Sequence, residues 1–172
     1  MFYNKINLFF FNKIIKKRLR NVTSSKSSGS IKKVGVILDE KLSDSKGKIQ
    51  DILIKNSILD SNITFITFKR NLKKGEEAPF DVFTSKDVSF SGVFNTGRLN
   101  WFLDDTFDLI INFYQDANPF LMLLTQVSHS NMKVGFASVD NRLNHLVIKT
   151  KSNDTSIFLD EMIKYLRTLK KI

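Results

Sequence analysis

Five cations, Lys13, Lys16, Lys17, Arg18 and Arg20, fall within eight residues, and the first carboxylate in the chain is Asp39. A block of side chains this basic attracts phosphate groups or anionic lipid headgroups, because nothing nearby neutralises it. Phe9 and Phe10 lie just before it. On a lipid surface those rings would matter as much as the lysines, since inserted aromatic area adds to the charge attraction. On RNA or a ribosome the cations would dominate, and affinity would fall steeply with salt. The compactness of the block from Lys13 to Arg20 favours RNA slightly.

A second set consists of Asp39, Asn112, Asp116 and Asp140, each close to the end of an apolar run. Hard oxygen ligands from separate strand ends suit a divalent cation such as magnesium, and carboxylates so placed can act in acid–base chemistry. The same residue types are also favoured in turns and helix caps. They are weak catalytic candidates, and no metal ligand set or cofactor is expected. Zero cysteines exclude a thiolate metal site and a cysteine nucleophile. The only two histidines, His129 and His145, are too far apart in sequence to suggest a zinc site, and each reads as a surface or boundary residue.

These residues must be positioned by a chain of 172 residues, enough for one domain with a real core and a short appendage. Charge divides it unevenly. Of 27 basic and 17 acidic residues, nine basic and no acidic ones lie in residues 1–38, giving +9. The remaining 18 basic and 17 acidic residues give +1, so an electrostatic partner is addressed mainly by residues 1–33.

Leu8, Phe11, Ile15 and Leu19 recur at spacings of three and four, which predicts a basic, apolar helix over residues 1–21, with its regular turns from residue 2. Its stripe needs a cover, supplied by the domain itself or by a second copy as a homo-oligomer. A hydrophilic, Ser-rich linker follows over residues 22–30. The stretch is no secretory signal, because its apolar run precedes its cations. Seven uncharged residues between Lys5 and Lys13 are too few for a membrane span, which takes about 20. No later segment does better, so no transmembrane segment is expected. A cytoplasmic protein, peripheral to a membrane if the arm binds lipid, is the expectation, with organellar import as a minor alternative.

Residues 31–172 read as one α/β domain. Apolar runs at Val34–Leu38, Ile63–Phe68, Asp108–Phe113, Lys133–Val139 and His145–Thr150 predict five strands. Between them, helical patterns are capped by Ser43, by Asn118 with Pro119, and by Asp154. A short helix is expected around Trp101, and the last helix should turn Phe158, Met162, Tyr165 and Leu169 inward. Alternation of this kind implies an open, mainly parallel Rossmann- or flavodoxin-like sheet with helices on both faces. The turn after the first strand, Leu38-Asp39-Glu40-Lys41-Leu42, has no glycine and two acids, which disfavours dinucleotide phosphate binding. There is no Walker lysine motif and no Gly-x-Ser-x-Gly elbow.

Residues 107–137, Phe-Asp-Leu-Ile-Ile-Asn, a helix and Lys-Val-Gly-Phe-Ala, resemble part of the N-terminal Rossmann-like half of lipopolysaccharide heptosyltransferases. That resemblance implies a fold and no donor-sugar site. Three features together resemble a family of small uncharacterised bacterial proteins: the basic N-terminal helix before Lys33–Asp39, the Phe-Asp-Leu-Ile-Ile-Asn strand, and the run from Lys133 to Asn144. It implies a bacterial cytoplasmic protein and brings no catalytic residue. The function expected is a non-enzymatic binding or adaptor protein whose basic helix engages an anionic partner, RNA or a ribosome before a membrane surface. The alternative is a small enzyme or small-molecule-binding domain using Asp39, Asn112, Asp116 and Asp140.

Overall fold

The computed structural model describes Lys13, Lys17 and residues 29–73, 75–89, 91–94, 97–150 and 154–172. The helix predicted over 1–21 and most of the linker at 22–30 lie outside these residues. Lys13 and Lys17 are helical and exposed.

The domain is a six-stranded sheet in the order β3-β2-β1-β4-β5-β6, with every paired strand parallel. β1 is Val34–Asp39, and its six residues are all buried because the strand is covered on both faces and flanked on both edges. Val34, Val36 and Leu38 point to one layer, Ile37 to the other. From β1 the chain winds outward through α1 (Lys46–Lys55) to β2 (Ile63–Phe68) and β3 (Val82–Phe83). It returns through α2 (Asn100–Leu103) to β4 (Thr106–Phe113) on the far side of β1. From β4 it winds the opposite way through α3 (Pro119–Val127) to β5 (His129–Phe136), β6 (Leu146–Ile148) and α4 (Thr155–Thr168).

Right-handed crossovers in opposite directions put their helices on opposite faces. Ile49 and Leu53 of α1 pack with Phe158, Leu159, Met162, Ile163 and Leu166 of α4 on one side. Leu121 to Leu124 of α3 and Phe102 of α2 cover the other. Asn118 accepts the Phe120 amide at 3.0 Å ahead of Pro119, and Asp154 accepts the amides of Ser156 and Ile157, as the cap spacing predicts.

Three expectations are corrected. The sheet has six strands rather than five, because β3 is two residues long and lies in a stretch punctuated by Gly75 and Pro79. Ser43 caps no helix: Asp39 caps a 3-10 turn over Glu40–Ser45, and Ser43 donates to the Glu40 carbonyl at 2.7 Å. Tyr165 and Leu169 are 44% and 52% exposed, because the buried face of α4 runs through Leu159, Ile163 and Leu166 as well as Phe158 and Met162.

Phe158 stacks on Phe136 at 4.0 Å between ring centres and meets Phe113 edge-on. Phe158→Ala should therefore lower stability by about 3–5 kcal/mol in urea denaturation, whereas Leu169→Ala should stay within about 0.5 kcal/mol of wild type.

Candidate functional site

The strand order reverses between β1 and β4. In sheets of this kind the crevice beyond the carboxyl ends at that reversal receives ligands. Here the protein's own groups meet there. Asp39, 5% exposed, accepts the Lys41 amide at 3.0 Å, so a side-chain carboxylate takes the amide that a glycine-rich turn would offer a phosphate. The Lys41 ammonium crosses from the β1 side to pair with Asp116 beyond β4, and that hydrogen bond raises its pKa. Glu40 accepts the Arg70 amide at 2.8 Å.

Asn112 is no rim residue. It is 1% exposed and turned toward α3, donating to Asn144 Oδ1 at 2.6 Å and accepting from Thr125 Oγ1 at 2.8 Å. Thr125 has a single hydroxyl proton and spends it on Asn112, so the Tyr114 hydroxyl donates to Thr125 across 2.7 Å. Burial pushes the Tyr114 phenol far above its usual range and keeps it a donor. Gly135 stands opposite Asn112 in the β4–β5 register. A Cβ at Gly135 would lie 2.6–2.9 Å from the Asn144 side chain, so this glycine makes the room the amide occupies.

Lys133 lies two residues earlier on the same face and is 7% exposed. Its Nζ donates to the carbonyls of Thr125 and, at 2.8 Å, Ser128, closing the C-terminal end of α3. Burial lowers its pKa to about 8. Its backbone amide donates to His145 Nδ1 at 2.8 Å. His129 is exposed and opens β5.

Asp140 caps the 3-10 turn Asn141–Leu143 and receives Arg142 through Nε at 2.9 Å and Nη2 at 2.6 Å. Of the four rim candidates, Asp116 lines a cleft. That cleft, about 430 Å3, lies beyond β4, β5 and β6, with Ser138, Lys149 and Thr150 around a floor of Phe136 and Ile148. Among the described residues, no group of three or more His, Cys, Asp or Glu could hold a metal ion, and no helix is long and apolar enough to cross a membrane.

A larger depression, about 580 Å3, runs between α1 and α4 and is lined by Ile52, Lys55, Asn56, Asp160, Lys164 and Arg167, among others. Sequence reasoning missed it because its two walls are over a hundred residues apart. The one signal was Asp160, Lys164 and Arg167 recurring on one helical face. Phe9, Phe10, Lys16, Arg18 and Arg20 lie outside the described residues.

Gly135→Ala should cost about 1–3 kcal/mol by crowding Asn144. Combining it with Asn144→Ala should give a loss smaller than the sum by at least about 0.5 kcal/mol in a double-mutant cycle. Lys133 yields a pH signature. The unfolded chain holds this proton up to about pH 10.4 while the fold releases it near 8, so between those values the unfolded state binds more protons and stability rises with pH. Wild-type stability minus that of Lys133→Met should be flat below about pH 8. It should then climb by up to about 3 kcal/mol toward about pH 10.4.

Neither the curated proteins nor the solved structures contain a match to this chain, so nothing there carries the local likeness of residues 107–137 to heptosyltransferases. One family model matches residues 7–169, taking in the basic block and every strand of the sheet. The chain therefore belongs to DUF6913, a family of unknown function.

Proposed function

We propose that the protein is a non-enzymatic binding or adaptor protein of the bacterial cytoplasm. In this reading the α/β domain is a scaffold, and the basic segment within residues 1–33 engages an anionic partner, RNA or a ribosome rather than a membrane. The division of charge carries it: +9 in residues 1–38 against +1 in the other 134. The state of the rim adds support, since Asp39, Asn112 and Asp140 are each committed to the fold's own donors. The cleft beside Asp116 favours a second reading, a small-molecule site beyond the carboxyl ends of the strands.

The test uses the full chain with Lys16, Lys17 and Arg18 changed to Gln. The wild type should be retained on immobilised RNA with a steep salt dependence. The variant's slope should be shallower by about 2, from about 0.7 per lost phosphate contact. Pelleting with phosphatidylglycerol vesicles that is lost in Phe9→Ala/Phe10→Ala, without salt-sensitive RNA retention, would overturn the preference for RNA.

A further inference from the structure

We infer that the groove between α1 and α4 continues the anion-binding surface of the N-terminal arm and receives the phosphate backbone of a single RNA strand. The inference rests on the arm reading above and names where on the domain the same partner lies. The groove's charged lining is Lys55 from α1 and Lys164 and Arg167 from α4, against one acid, Asp160. Residues 39–172 together are only +1, so three cations at one groove, against Asp160 in its wall and Glu161 beside Lys164, are a local concentration of positive charge.

The arm joins the domain at this end of the groove. Ile31 donates its amide to the Lys171 carbonyl at 2.8 Å, and Lys171 Nζ reaches the Gly29 carbonyl at 3.3 Å. From that junction Lys171, and then Arg167 and Lys164 of α4, follow one another back along the chain.

Like charge argues against the arm itself as occupant, because its five clustered cations would face three more. Shape argues against a bilayer, since a planar headgroup layer cannot enter a concavity between two helices. Opposing forces are modest. The carbonyl ends of both helices repel an anion with roughly half a charge each, while the lysine and arginine heads extend beyond them on long stems. Lys164 lies 3.3 Å from Glu161 in an exposed pair, of the kind that contributes little and yields to a phosphate. Arg167 also donates to Asn56 Oδ1 at 2.8 Å, tying the two walls together.

The experiment measures binding of a fluorescein-labelled oligouridylate to the full chain across a salt series. The variants are Lys55→Gln/Lys164→Gln, the arm variant Lys16→Gln/Lys17→Gln/Arg18→Gln, and Lys86→Gln as an exposed lysine on a different part of the domain. Arg167 is kept so that the walls stay joined. The groove variant should bind more weakly with a salt slope shallower by about 1.4, two cations at about 0.7 each, while Lys86→Gln keeps the wild-type slope. If the groove variant matches Lys86→Gln while the arm variant loses binding, the groove inference falls and the arm reading stands. If wild type shows no salt-sensitive binding, both fall. A groove variant that keeps RNA binding but loses pelleting with phosphatidylglycerol vesicles would assign the groove to lipid and overturn the inference.

Discussion

An amide side chain buried inside a sheet domain must have both its oxygen and its nitrogen met, and Asn112 achieves this with partners from two other parts of the fold. Thr125 comes from α3 and Asn144 from the crossover between β5 and β6. The bonds fix where α3 sits on β4 and how the short connection returns the chain to β6. They also dictate a glycine at 135, because any Cβ there would occupy the space of the Asn144 amide. A buried polar group left half satisfied costs more than an apolar one in its place, so these residues have to be present together. Gly135 and Asn144 both lie in the run from Lys133 to Asn144, one of the three features of the family resemblance.

The central strands, the caps at Asn118 and Asp154 and the layering were legible, because continuous apolar runs and capping residues are local signals. Other features depended on distant partners. Asn112 sits beside strand-ending polar residues and reads as rim, yet its place in the period-two alternation turns it under α3. Tyr165 and Leu169 fit a helical stripe by spacing, but the sheet beneath α4 is contacted along a line through Leu159, Ile163 and Leu166 instead. β3 is shorter than any periodicity can reveal. The helix groove exists only once residues near 55 and 165 are side by side.

The crevice that doubly wound sheets usually open to ligands is spanned by the Lys41–Asp116 pair, with Asp39 folded onto its own turn. Exposed pairs of this sort are weak, but here the acids already have partners, and the one cation of the crevice, Lys41, is paired. In the proposed function, electrostatic attraction falls to the arm and the surface from which it springs. The family match takes in both, since it spans residues 7–169.

The sheet's outermost strands are its shortest, two residues in β3 and three in β6. An outer strand carries unpaired backbone donors and acceptors that can template another chain, and long flat ones invite fibrillar association. Strands this brief offer at most one or two such groups on either side. The interior strands, rich in Val, Ile and Phe, would be hazardous if uncovered, so the small flanking strands act as guards for a strongly β-prone centre. The same brevity gives recognition by strand addition little backbone to work with, which agrees with a proposed function that turns on helix surfaces and the basic arm.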